Sequence, residues 1–297
     1  MARQRSTIVD LADRLSNLAL RGLIGFALVL PYAWRVPMMG WLMARLIGPA
    51  VGYRRRAMAN LARIYPAMPP NARRRLATAV LDNMGRTIIE NYSGPAFSRQ
   101  LQAAEITGPG LAALATAKAS GRPVIFVTAH FGNYEAPRHA LLARGYQIGG
   151  LYRPMSNPYF NSHYVRTMAA VSGPIFDKSQ RGTMGFARFL KRGGMATILF
   201  DVHSYSGTAI DFLGQPALTA ISAAEFALRF DALLIPYFGI RLADGLNFRI
   251  ELGAPIPHGD PVGMTRTMTA ALEDQIAARP DLWFWVHRRW KSGLGTG

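Results

Sequence analysis

Cysteine is absent from the 297 residues, which removes a disulfide framework, thiolate metal sites and a cysteine nucleophile together and leaves oxygen and nitrogen chemistry. Lysine is scarce, occurring only at Lys118, Lys178, Lys191 and Lys291, so the formal charge of +17 rests on arginine. Acids are few as well, 17 against 34 basic residues. Planar, weakly hydrated guanidinium groups suit phosphate and carboxylate, so anionic partners are expected: nucleic acid, an anionic bilayer or an acidic carrier protein. No G-x-S-x-G elbow occurs, which argues against the usual serine hydrolase arrangement.

The first 75 residues hold thirteen arginines and two acids, Asp10 and Asp13. Residues 15–47 are strongly apolar but are interrupted by Arg21, Pro31, Arg35, Pro37 and Arg45. Their longest uncharged run, residues 22–34, has 13 residues, short of the ~20 that a spanning helix needs. A segment lying in the membrane interface, or a kinked anchor, is expected rather than a clean span or a secretory signal. Arg54, Arg55, Arg56, Arg63, Arg73, Arg74 and Arg75 follow with no acid among them. Near an anionic leaflet each basic side chain adds about 1 kcal/mol, so the cytoplasmic face of a membrane is the expected location. Composition thus divides the chain into a membrane-associating segment (1–75), a catalytic domain (76–292) and a flexible tail (293–297).

From Pro123 the period changes. Apolar, β-branched runs at 124–128, 196–200, 233–240 and 248–252 read as strands. Helical patterns fall at 133–144, 157–171, 183–191, 220–230 and 264–278. The alternation predicts a mixed α/β fold, a partly parallel sheet flanked by helices, behind an N-terminal membrane-associated helical segment.

The most informative stretch is residues 124–135, VIFVTAHFGNYE. A buried strand ends at His130, Gly132 permits a tight turn, and Asn133 suits a helix N-cap. The carboxyl end of a strand beside a helix N-terminus is where α/β folds place their sites. On one regular helix, five residues would set His130 and Glu135 about 500° apart, so the two meet only if His130 sits in the turn. A carboxylate bound to one ring nitrogen fixes the tautomer and leaves the other nitrogen free to take a proton. The bland alternative for this spacing is a histidine at a strand end and a glutamate capping a helix.

These residues, His130-Phe-Gly-Asn-Tyr-Glu135, resemble the H-x4-D/E motif of glycerolipid-type acyltransferases, in the form used by bacterial lipid A biosynthesis acyltransferases. The resemblance continues in order. It takes in Arg54 to Arg56 with Asn60-Leu61 and Tyr65-Pro66, then Tyr152-Arg153-Pro154 with Asn157-Pro158, and then a glycine-to-aspartate strand ending at Asp201. It goes on through Phe212-Leu213-Gly214-Gln215-Pro216-Ala217 with Thr219, and a Trp283-to-Lys291 ending. It implies transfer from an acyl carrier protein thioester to a hydroxyl of a phosphorylated glucosamine lipid at the inner membrane, with neither metal nor nucleotide. It implies His130 as general base oriented by Glu135, and Arg153 as a ligand for anionic substrate or for the thioester oxyanion. Gly132 and Asn133 are then donors at the helix N-terminus, Asp201 shapes the acceptor site, and Gly214 with Thr219 approach head-group atoms. One departure stands out: where the family commonly shows Asp-Gln, this chain has Asp201-Val202-His203.

Other patterns are weaker. Asp201-x-His203 lacks a third ligand at recognisable spacing for a metal. Gly108-Pro109-Gly110 reads as a turn before a helix. His139, His163, His258 and His287 read as surface or packing residues. The cluster Trp283, Phe284, Trp285 and Trp290 among His287, Arg288, Arg289 and Lys291 imitates a nucleic-acid stacking surface, but an aromatic belt at the membrane interface is the expectation. A non-enzymatic, basic lipid-binding adaptor is the alternative from another functional class.

Overall fold

The computed structural model describes residues 7–171 and 173–291, so the tail expected at 293–297 lies outside the described residues. The N-terminal third is helical: α1 (Thr7–Val29), α2 (Tyr32–Leu42), a π-helical turn (Met43–Ile47), α3 (Gly48–Ala50), α4 (Tyr53–Ile64), α5 (Pro70–Tyr92) and α6 (Gly94–Leu101). α5 packs on both α2 and α4 and runs through the residue 75/76 division drawn from composition. Two glycines set the α2–α5 approach. A Cβ on Gly85 would lie 2.3 Å from the Met39 carbonyl oxygen, and one on Gly40 would lie 2.5 Å from the Asp82 carboxylate. α1 leaves Leu11, Leu15, Leu18, Phe26 and Val29 exposed, and α2 leaves Trp34 and Trp41 exposed. Among the described residues no helix is long and apolar enough to cross a membrane.

The rest is a mixed α/β unit. Seven strands, β1 (Glu105–Thr107), β2 (Val124–Thr128), β3 (Ile148–Tyr152), β4 (Ile175–Asp177), β5 (Met195–Leu199), β8 (Leu233–Arg241) and β9 (Phe248–Leu252), form one sheet in the order β1-β9-β8-β2-β5-β3-β4. Every pair is parallel except β8–β9. β6 (Thr208–Phe212) and β7 (Gln215–Thr219) form a separate antiparallel hairpin. The interleaved helices are α7 (Gly110–Ser120), α8 (Ala136–Leu142), α9 (Pro158–Ala169), α10 (Gln180–Lys191), α11 (Ser222–Arg229) and α12 (Pro261–Ala278). Central β2 has all five residues buried, as its unbroken Val-Ile-Phe-Val-Thr run requires of a parallel strand covered on both faces.

The strands read from sequence are all present, and those not foreseen are β1, β3, β4, β6 and β7. β1 and β4 have three residues each, and β3 carries Gly149 and Gly150, which weaken any strand signal. The aromatic belt is overturned. Trp283, Trp285 and Trp290 are 1%, 0% and 8% exposed and pack on one another and on Phe212 inside the core. Residues this deeply buried cannot stack on nucleic-acid bases either.

Gly85→Val should destabilise the fold by about 1–3 kcal/mol, the usual cost of forcing extra methyls into a close contact. A urea denaturation series read by tryptophan fluorescence would measure it, and an unchanged midpoint would mean the two helices are not locked at this crossing.

Candidate active site

The site follows from strand register. β2 and β5 are neighbours in parallel, with Thr128 opposite Leu199, and the Phe200 amide continues the ladder to the Thr128 carbonyl at 3.1 Å. Two residues beyond each strand end stand His130 and Asp201. Nδ1 of His130 lies 2.9 Å from Oδ1 of Asp201, and the His130 backbone amide donates to Oδ2 at 2.9 Å. The indole Nε1 of Trp283 donates to the same Oδ2 at 3.1 Å. Asp201 is therefore a buried carboxylate held by three donors, while the His130 side chain keeps 32% of its surface open.

Burial pushes the Asp201 carboxyl up, but the His130 charge and hydrogen bonds, with the Trp283 bond, outweigh it and bring it down to about 2. Burial likewise pulls the His130 ring down, and the Asp201 charge and hydrogen bond reverse this, setting it above the ordinary imidazole value. An ionised Asp201 assigns the Nδ1 proton to the shared bond and leaves Nε2 as the nitrogen free for proton transfer. Tyr134 and Phe284 flank the ring with centroids at 5.3 and 5.8 Å.

The turn that presents His130 is braced from below. Gly132 has φ +55°, and a Cβ there would sit 1.9 Å from the Gly239 carbonyl oxygen, so only glycine fits. Its amide donates to the Leu282 carbonyl, and its own carbonyl accepts from Thr87 (2.9 Å) and Asn83 (3.1 Å) on α5. Asn133 is fully buried: Nδ2 donates to Glu90 at 2.9 Å, and Oδ1 accepts the Glu135 amide at 2.9 Å. Glu90, itself buried, pairs with Arg241 through both of its oxygens. Gly132 and Asn133, expected as donors to substrate, are thus committed to the scaffold. The Asn133 turn also delays α8, which starts at Ala136 rather than at 133.

The expected His130–Glu135 contact is made by Asp201 instead. Glu135 stands at the N-terminus of α8 without a side-chain capping bond and instead binds Arg138, three residues on, at 3.1 Å, while Nδ1 of His130 turns toward the neighbouring strand end. His130, Glu135 and Arg153 still share one wall-lined cavity of about 550 Å³, with the apolar Leu151, Met155, Met168, Ile175 and Leu199 along it. Lys178, Lys291, His203 and His287 line the same space. His287, read from sequence as a surface or packing residue, accepts the His203 amide on Nε2 and is held down to about 4 chiefly by burial. A smaller cavity of about 150 Å³, lined by Gly132, Tyr134 and Phe284, also touches His130.

Besides Gly132 and Asn133, three expected residues do not line this cavity: Asp201, expected to shape the acceptor site, is buried and holds His130 instead, and Gly214 and Thr219 serve the fold. Thr219 is fully buried, donating to the Ala217 carbonyl and accepting from Arg289, because β7 turns it into the core. Gly214 belongs to the two-residue turn Leu213-Gly214, where φ values of +54° and +71° account for it. Asn83, Glu90 and Arg241 went unrecognised in sequence, and Trp283 was singled out only as part of the C-terminal aromatic cluster, not as a donor to Asp201.

The sequence profile of bacterial lipid A biosynthesis acyltransferases matches residues 15–292. The chain belongs to that family. Its similarity to individual members is low. It is 22% identical to the lipid A biosynthesis lauroyltransferase of Escherichia coli, over 78% of this chain and 77% of that protein. It is 23% identical to a lipid A biosynthesis acyltransferase of Haemophilus influenzae, over 60% of this chain and 56% of that protein. A phosphatidylinositol mannoside acyltransferase of Mycobacterium tuberculosis is 20% identical over 79% and 76%. Acyl transfer is therefore the reaction class of this lipid A biosynthesis acyltransferase family member.

Asp201→Asn should drop the His130 pKa below the ordinary ~6.5, since burial then acts unopposed; proton NMR titration of the ring would read it, and a value still above 6.5 would refute the pairing. The pair also ties stability to pH. The Asp201 contribution is complete above the unfolded carboxyl value of ~3.9 and is lost as pH falls toward its folded value, while the His130 contribution is complete below ~6.5 and is lost as pH rises through its higher folded value. The stability difference between wild type and Asp201→Asn should therefore be greatest between these limits and shrink on both sides.

Proposed function

We propose that this chain transfers a fatty acyl group from an acyl carrier protein thioester to a hydroxyl of a lipid A-type glycolipid, with His130 as general base, at the cytoplasmic face of the inner membrane. The observation that carries this reading is the His130–Asp201 pair opening onto a cavity long in apolar wall, in a chain of this family.

In the proposed reaction Nε2 of His130 takes the proton of the acceptor hydroxyl as its oxygen attacks the thioester carbonyl carbon. The tetrahedral intermediate then collapses, the carbon–sulfur bond breaks, and the proton on Nε2 passes to the leaving thiolate. Asp201 orients the ring and stabilises the imidazolium formed between these steps. Arg153, on the same cavity wall, binds an anionic part of substrate or the oxyanion, a form of electrostatic stabilisation that is often the largest contribution in acyl transfer. The apolar wall suits the acyl chain, and the +17 charge suits an acidic carrier. Exposed apolar residues on α1 and α2 beside arginine-rich α4 and α5 support attachment to an anionic bilayer.

A second acceptor is favoured by two particulars: the Val202-His203 sequence on the cavity wall and the similarity to a phosphatidylinositol mannoside acyltransferase. On that reading His130 and the donor are unchanged and a different glycolipid supplies the hydroxyl. Mass spectrometry of cell lipids with and without the gene separates the two by which lipid loses an acyl chain. An unchanged lipid profile would favour a non-catalytic adaptor over either.

His130→Ala should abolish turnover in the purified, folded protein, and Asp201→Asn should lower kcat by about 100-fold or more, within the range of positioned general-base catalysis. Glu135→Gln, which disturbs the Arg138 pair, should act mainly on KM. If the two carboxylate variants reverse this order, Glu135 is the orienting group. The acid limb of kcat/KM should lie above pH ~6.5 in wild type and move down in Asp201→Asn.

A further inference from the structure

A second large cavity, about 790 Å³, lies between α2, the π-helical turn, α5 and the β8–β9 connection and shares no lining residue with the reaction cavity. Five arginines line it: Arg45, Arg74, Arg75, Arg86 and Arg241. Two are already neutralised, Arg86 by Asp82 and Arg241 by Glu90. Among the described residues no ion pair or hydrogen bond engages the guanidinium groups of Arg45, Arg74 and Arg75, and Asp281 is the remaining acid on the wall. Three uncompensated cations around one concavity mark an anion site, and guanidinium forks match phosphate oxygens two at a time. α5 adds the positive end of its dipole, for Asn71 in its first turn also lines the cavity and that turn contains no acid.

The rim specifies which anion. Trp41 is part of the wall yet 54% exposed, and Leu46 and Val51, which follow the wall residue Arg45 in the chain without lining the cavity, are each 53% exposed. An exposed indole and aliphatic side chains beside arginines fit the headgroup level of a bilayer, whereas a soluble anion needs no apolar rim. We propose that this cavity binds the phosphate headgroup of an anionic bilayer lipid, held by Arg45, Arg74 and Arg75, with Trp41 and Leu46 seated among its acyl chains.

The test uses full-length protein and flotation on phosphatidylcholine vesicles with or without phosphatidic acid. Arg54, Arg55 and Arg56 on α4 neighbour Val51 but lie outside the cavity, so R54A/R55A/R56A removes equal charge without touching the site. R45A/R74A/R75A should weaken partition onto phosphatidic acid vesicles at least about 10-fold more than that control, as expected for lost charge-assisted hydrogen bonds. R45K/R74K/R75K, which keeps the charge but not the forks, should recover only part of the loss. Binding to pure phosphatidylcholine should be the same in all three. Equal losses in the two alanine variants, or full recovery with lysine, would mean diffuse attraction and overturn the site. Titration with inorganic phosphate tests the other source: saturable binding lost in R45A/R74A/R75A while vesicle partition is unaffected would make the ligand a free anion and overturn the lipid assignment.

Discussion

The reactive centre depends on two parallel strands ending in step. Because Thr128 faces Leu199 across the β2–β5 ladder, an imidazole and a carboxylate placed two residues past each end are delivered to hydrogen-bonding distance. The sheet's central position makes this rigid: β2 is paired on both sides and covered on both faces. A carboxylate so far from water would ordinarily protonate. Three donors keep Asp201 ionised, and that persistent charge makes the His130 ring more basic despite its partial burial.

Below the ring a second polar group carries the strain of the turn. The left-handed Gly132 exposes a carbonyl that no strand can satisfy, and Thr87 and Asn83 of α5 supply its donors. Arg241 then fixes Asn83 and Glu90, and Glu90 holds Asn133. The helical N-terminal region is thus joined through buried hydrogen bonds to the turn that follows β2. The N-terminal helices and the sheet share α5, whose first turns contribute Arg74 and Arg75 to the basic cavity.

The sheet's central strands were legible because short apolar, β-branched runs alternate with helical patterns, and the His130 turn was legible from glycine and asparagine following such a run. Glu135 was chosen as the partner because it is near in sequence, yet register across neighbouring strands brings together residues 71 apart. A usable signal existed: both apolar runs, 124–128 and 195–199, are followed two residues later by a group that titrates. Glu90 and Arg241 were not legible, since a buried ion pair reads in sequence as two surface charges, and Trp283 stood out only as one of a cluster of aromatics whose burial the sequence does not show. Gly214 and Thr219 were assigned to substrate from a motif whose glycine serves a hairpin turn and whose threonine serves the core.

The Trp283 bond to Asp201 spans 82 residues of chain. During synthesis both members of the acid–base pair leave the ribosome well before the indole that completes the carboxylate's set of donors. Until that later stretch folds back across the sheet, Asp201 lacks one of the bonds that hold it ionised and the Phe284 side chain is missing from beside the ring. Completion of the carboxylate's donor set is thereby coupled to closure of the whole α/β unit, and the imidazole gains its Phe284 neighbour in the same step.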